Sequence, residues 1–175
     1  MRGRLDFSES IARIKANPVD VIYLPGDSQT TKTQIEQLRS QGIKSTFLGI
    51  DAWNQSHITK MPIFEGAYLT DHWHTSVNQQ NTSSLHFFNL YKKRFQEEPN
   101  IVSMLTFDSI NILLKAIGKG STKSESIQAE LIKTRNFEGV TGRISFSDHG
   151  ETNKPVFILQ VRDGKIHFVE EVYSK

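Results

Sequence analysis

The stretch "VDVIYLPGDSQTTKTQIEQLRSQGIKSTFLGIDAW", residues 19–53, decides the fold class. It opens on "VDVIYLPG", an apolar run of strand length closed by Pro-Gly. A continuous run, rather than an alternating one, fits a strand covered on both faces, as in parallel sheets. "SQTTKTQIEQLRSQG" follows and reads as a helix from about Thr31, with Gly42 placed to stop it. "KSTFLGIDAW" is a second strand of the same kind. Strand, helix and strand with short links make a βαβ unit with a right-handed crossover.

Upstream, "DFSESIARIKA" sets Phe7, Ile11 and Ile14 on one helical stripe, and Asn17-Pro18 ends it. Downstream the character changes. "EGAYLTDHWH" reads as a strand leaving the unit. "SSLHFFNLYKKRFQEE" puts Leu85, Phe88, Tyr91 and Phe95 on one stripe, broken at Pro99. "IVSMLTFDSINILLKAIGKG" is a more apolar helix stopped by Gly118 and Gly120. "SESIQAELIKTR" is a third, with Ser124 or Ser126 as candidate N-cap. Three helices in a row do not extend the first unit; they look like the outer layer of another one. "PVFILQVRDGKIHFVEEV" is a β-hairpin turning at Asp163-Gly164. There is no internal repeat and no low-complexity linker.

The composition bounds the function. A chain of 175 residues suffices for one domain or two small lobes. At 37% hydrophobic and 23% charged it belongs with soluble globular proteins. The net charge of +2 is spread out, and Lys92-Lys93-Arg94 sits in a helical pattern beside Glu97 and Glu98, which reads as a solvated face rather than a nucleic-acid surface. The absence of cysteine excludes a disulfide framework, a thiolate metal site and Cys catalysis. No apolar run reaches the roughly 18 residues of a membrane span. "MRGRLDFSES" lacks an apolar core after its arginines, so it does not read as a signal peptide.

Four places could carry chemistry. Residues 26–33, G-x-x-x-x-T-K-T, fall one glycine short of a phosphate loop, and β-branched Thr31 resists the backbone that glycine supplies. "HWH", residues 72–74, would set two imidazoles on one side of a strand, but no third ligand follows from the spacing. "SDHGE", residues 147–151, gathers two carboxylates and an imidazole, yet reads as a turn in which Asp148 bonds the backbone. The fourth place is the end of the strands. Ligands of open α/β sheets bind outside the carboxyl ends of strands. Asp27 and Ser28 end the first strand, and Asp51, Ala52 and Trp53 the second. Two aspartates would then share one rim with an indole alongside, able to pair an ammonium group and cover an aliphatic part. Asp51 could equally cap the next turn.

Taken in order, "DFSESIARIKANPVDVIYLPG", "LRSQGIKSTFLGIDAW", "EGAYLTDHW", "TFDSINILLKAI" and "FEGVTGRISFSDHGETNKPVFILQVRDGKI" resemble the second half of type I periplasmic solute-binding proteins, in the branch that serves branched-chain amino acid and amide ABC importers. "TFDSINILLKAI" is similar to the family's Tyr-Asp-Ala helix, with Phe107 and Ser109 at the flanking positions. The resemblance implies an α/β fold of two Rossmann-like lobes of which this chain holds part of each. Residues 1–66 and 156–175 would belong to the C-terminal lobe, 72–147 to the N-terminal one, with hinge crossings at 67–71 and 148–155. It implies no enzyme and no cofactor. The ligand would be an amino acid or similar small polar solute, with Asp51 receiving its ammonium. Asp27 stands where amino-acid binders often carry an aromatic. A membrane permease would be the partner and the location periplasmic or extracytoplasmic. The same fold also serves as a ligand sensor in receptors, and a hydrolase using His72, His74 or the 24–33 loop is the enzymatic alternative. The family chain is about twice as long, so the helices of residues 84–135 would expose Phe88, Leu105, Ile112 and Ile117; the chain is expected to be a fragment of a longer protein, to pair with another copy or segment, or to be marginally folded.

Overall fold

The computed structural model describes residues 6–54, 60–78, 81–119 and 122–173. The chain divides into two units: one runs to Asp71 and takes up Phe157–Glu170, the other holds His72–Val156 and resumes at Glu171.

The first unit is built on a five-stranded sheet. β1 (Val21–Tyr23), β2 (Thr46–Gly49) and β3 (Tyr68–Asp71) are parallel neighbours. β7 (Val156–Arg162) lies antiparallel against β3, and β8 (Lys165–Val172) follows at the edge. The β7–β8 turn has positive φ at both Asp163 and Gly164, as a two-residue hairpin of this sequence requires. Phe157, Leu159 and Val161 are buried at alternate positions of β7 and join Phe47, Leu69, Ile35 and Phe64 in the core.

Two helices accompany this sheet. α1 (Ser8–Ala16) stops at Asn17, before Pro18, and buries Ile11. α2 (Ser28–Ser40) begins three residues earlier than its apolar pattern suggests, because Asp27 caps it. Gly42, at φ 78°, ends it as expected. Arg39 lies over the Phe47 ring and donates to the carbonyls of Ile43 and Ser45, which ties the helix to β2. β1 departs from the expectation of cover on both faces. It is the edge strand, and Val21 and Tyr23 are exposed.

The second unit stacks helices on a small sheet. A short helix α3 (Thr75–Asn78) precedes α4 (Thr82–Phe95), α5 (Ile101–Ile117) and α6 (Ser124–Ile132). β4 (Phe137–Gly139), β5 (Gly142–Phe146) and β6 (Thr152–Asn153) form an antiparallel three-stranded sheet. Asn81 and Asn100 cap α4 and α5. α6 starts after Lys123, which makes no side-chain cap, so neither Ser124 nor Ser126 is the N-cap. α5 buries Met104, Asp108, Ile112 and Ala116, one residue per turn. The apolar residues left outside are not those expected: Ile112 is buried and Phe88, Leu105 and Ile117 are half-buried, while Val102, Phe107, Ile110 and Leu114 of α5 and Leu85, Leu90 and Phe95 of α4 are exposed. Rings of α4 and α5 form a ladder, Phe107–Phe87–Tyr91–Phe95, with neighbouring centroids 4.6–5.7 Å apart, while Phe88 of the expected stripe stacks on Trp73 at 6.4 Å.

Candidate functional site

Because β1, β2 and β3 are parallel neighbours, their carboxyl ends lie on one edge of the sheet, and each run closes on an aspartate: Asp27, Asp51 and Asp71. The three do different work. Asp27 accepts from the amides of Gln29 and Thr30 and from the Thr30 hydroxyl, all at 3.0 Å. The Thr30 amide, then its hydroxyl, hold the Asp27 carboxyl below the usual carboxylate range. The N-terminus of α2 is therefore already occupied by a negative charge of its own chain. A phosphate would meet that carboxylate, so residues 26–33 are a capped strand-to-helix link and not a phosphate loop. Ser28 opens α2; its side chain lies outside the described residues.

Asp51 and Ala52 begin a single 3-10 turn, Asp51–Trp53, directly after β2, and both are half-buried. Trp53 is not on the rim. It is 1% exposed, lies edge-on to Phe64 at 5.4 Å, and rests on Gly49, where an added Cβ would sit 2.1 Å from the indole. The indole was expected to cover a ligand; the missing side chain of Gly49 instead gives it a place inside. Its Nε1 is buried without a hydrogen-bond acceptor. Asp71 is 1% exposed and accepts from Asn54 Nδ2, which ties the turn after β2 to the end of β3. The pairing of Asp71 with Asn54 was missed from sequence. Its signal was the repetition of an aspartate at the close of three consecutive strands, "PGD", "GID" and "LTD".

The other sequence candidates resolve into local structure. β3 ends at Asp71, so "HWH" is not a strand face. His74 Nδ1 bonds the Ser76 hydroxyl at 2.8 Å and accepts from the Ser76 amide at the start of α3. Among the described residues no group of three His, Asp or Glu side chains could hold a metal. In "SDHGE" the turn forms as expected but on a different residue: Ser147 Oγ accepts from the amides of His149 and Glu151, while Asp148 pairs with Arg135 at 2.6 Å. The hydroxyl of Ser147, the turn's first residue, whose carbonyl accepts from the Gly150 amide, reaches both amides and leaves the Asp148 carboxylate for a cation.

Asp108 explains "GVTG", residues 139–142. Its carboxylate accepts from Val140 N at 2.7 Å, Thr141 N at 2.9 Å and Thr141 Oγ1 at 2.6 Å. Gly139 is required by closeness, since a Cβ there would stand 2.5 Å from Asp108 Oδ2. All of these groups are buried inside the second unit, so Asp108 is a structural anchor and not a ligand group. A recess of ≈ 810 Å³ in the same unit is lined by Leu105, Leu113, Leu131, Ile144, Phe146 and Lys154 among others, and by none of the three rim aspartates. It is the apolar flank of α5 and α6.

A family model described as "Periplasmic binding protein" matches residues 2–165. The Leu/Ile/Val-binding protein homolog 1 of Brucella suis is 23% identical over 97% of this chain and 46% of its own length. The leucine-, isoleucine-, valine-, threonine- and alanine-binding protein of Pseudomonas aeruginosa is 22% identical over 85% of this chain and 40% of its own. Among solved structures, the leucine-binding protein LivK of Thermotoga maritima superposes with a TM-score of 0.86 at 28% identity, covering 98% of this chain and 49% of that one. The branched-chain amino acid transporter substrate-binding protein LivJ of Streptococcus pneumoniae, solved with isoleucine, gives 0.78 at 27% identity over 99% and 50%. The chain thus spans about half the length of the relatives it matches, and its two units form part of the type I periplasmic-binding fold. With nearly all of its residues under one family model, the chain belongs to the periplasmic binding protein family.

Proposed function

We propose that this chain is part of an extracytoplasmic solute-binding component of an ABC importer, non-catalytic, which takes an amino acid or similar small polar solute between two lobes and delivers it to a membrane permease. The observation that carries the reading is the single sheet edge on which Asp27, Asp51 and Asp71 end three parallel strands. Asp27 is engaged by its own helix and Asp71 by Asn54. Asp51, half-buried at the head of a 3-10 turn, is the carboxylate left to face a solute ammonium. Ala52 follows it in the same 3-10 turn, and the buried Trp53 closes that turn. Relatives named for binding leucine, isoleucine and valine, and a neighbour solved with isoleucine, favour an amino acid. The chain passes between its units at residues 71–72, 156–157 and 170–171, and these passages would serve as the hinge. No helix among the described residues is long and apolar enough to cross a membrane.

The uncovered faces of α4 and α5 and the greater length of the relatives favour a further segment or a second copy in the working protein. The test is therefore made on a chain extended to the relatives' length, by calorimetric titration of leucine, isoleucine, valine and alanine. Binding is expected for at least one, and Asp51→Ala should weaken it by about 10- to 100-fold, the worth of a hydrogen bond to a charged group. Undiminished affinity in that variant would take Asp51 out of the site.

A further inference from the structure

We infer that Lys154 is a positioning residue that fastens two of the three strands by which the chain passes between its units, binding them to one another and to the turn held by Asp108. Its consequence for solute capture rests on the hinge reading above; the fastening itself stands on geometry. β3 and β7 run side by side in opposite directions, with Asp71 opposite Phe157. One residue beyond that pair, both strands belong to the second unit. The ladder stops there, where Pro155 has no N–H to offer. A side chain takes over the link. Lys154 Nζ donates to the His72 carbonyl at 3.1 Å and to the Thr141 carbonyl.

Lys154 is 9% exposed, and a buried ammonium is tolerated only when its charge is met. Thr141 links it to an opposite charge: its carbonyl accepts from Lys154 while its amide and hydroxyl donate to Asp108. A buried carboxylate and a buried ammonium are thus joined through one residue. A methionine would fill the same space without any desolvation cost, so packing alone does not account for the charge. What an apolar residue could not do is hold two carbonyls from separate segments. Pro155 adds stiffness: it fixes its own φ and keeps the backbone of Lys154 extended. On these two strands, bending is then limited to the few bonds between the fastened residues and the sheet, Asp71–His72 on one and Pro155–Phe157 on the other; the third passage, at 170–171, is not fastened this way. With the fastening gone, more backbone freedom is lost on closure, and a solute is held more weakly without any change at the rim.

Hydrogen exchange on the chain as it stands, compared with Lys154→Met, tests this. Amides of residues 72–78, 152–154 and 156 are expected to exchange about 10- to 100-fold faster in the variant, the factor for losing a hydrogen bond to a charged group. The amides of Val140 and Thr141 and those of α5 should keep their protection, and Lys154→Arg, which still carries a charged donor pair, should restore the passages. Unchanged exchange at 72–78, 152–154 and 156, or a uniform rise across the whole second unit, overturns the inference. If the Met variant does not fold, Lys154→Gln, which reaches one carbonyl, is judged by the same criterion. Normal exchange at the passages in a protein that binds amino acids removes the fastening and leaves the solute reading. Faster exchange in one that binds none does the reverse.

Discussion

β7 of the first unit and α5 of the second carry similar apolar content and treat it in opposite ways. In β7 every second residue is inside: Phe157, Leu159 and Val161 are buried, with Phe168 edge-on to Phe157 at 5.6 Å. α5 buries one residue per turn and leaves Val102, Phe107, Ile110 and Leu114 exposed, Val102 at 67%. A helix that is apolar on most of its faces belongs in an interior. The sheet unit buries most of its large side chains and leaves Val21 and Tyr23 of its edge strand outside; the helical unit leaves a run of them outside along α5. Each large side chain left outside forgoes about 1.5–3 kcal/mol of burial. The helical unit compensates with polar anchors. Asn81 caps α4 and donates to the Gly139 carbonyl at 3.2 Å, and Asp108 pins the next turn. Packing sets the first unit, and directed hydrogen bonds carry much of the second.

The largest effect that could break this contrast is a cavity. Leu159 and Met104 are both fully buried, one in each unit. Leu159→Ala should cost about 2–5 kcal/mol in urea unfolding, the range for deleting a core side chain with little collapse around it. Met104→Ala should fall at or below the low end, because the flank of α5 is open and can close over the gap. An equal loss in both variants would mean that the helical unit is packed as tightly as the sheet.

A smaller effect sharpens the polar half of the contrast. The carboxyl of Asp27 is held below its ordinary range mainly by the amide and hydroxyl of Thr30. A group whose folded pKa is depressed stabilises fully above its unfolded pKa, and that contribution fades as pH falls through the folded value. The melting temperature of Asp27→Ala should therefore lie a few degrees below the parent at neutral pH, and the two should converge below about pH 4. A gap that persists unchanged into acid would show that the cap works through packing and not through charge.

The parts of the fold that sequence disclosed are those set by near neighbours. The β1–α2–β2 order follows from two apolar runs and a capped helix between them, and the last hairpin from Asp163-Gly164. What sequence concealed depends on contacts across long separations. Asp108 meets Val140 and Thr141 more than thirty positions away, so nothing near "TFDS" says that its carboxylate is a turn anchor. Trp53 looked like a rim aromatic because it follows Asp51 by two residues; it turns inward because Gly49 leaves a space beneath it. Lys154 reads as one more solvated lysine until His72 and Thr141 are brought to its ammonium. The candidate site was legible as strand ends, which topology places on one edge. The division of labour among its aspartates was not, since hydrogen bonds decide which carboxylate is spent and which is left.

The smallest expected effect is also the most discriminating. Leu114 is 58% exposed on α5, and Ile110 lies one turn away on the same exposed flank. In a chain that folds as described, Leu114→Ser removes little buried area, so its unfolding free energy should move by less than about 0.5 kcal/mol, as for ordinary surface positions. Solubility should improve, because exposed apolar patches promote association. In a chain extended to the relatives' length the same substitution should become costly, by about 2 kcal/mol or more, if the added segment covers this flank. The difference between the two measurements, and not either alone, reports what α5 is for. A neutral result in both would mean that the flank stays bare in the longer protein and that its apolar residues face a separate partner. A large loss already in the short chain, with a dimer seen in sedimentation, would mean that a second copy covers it.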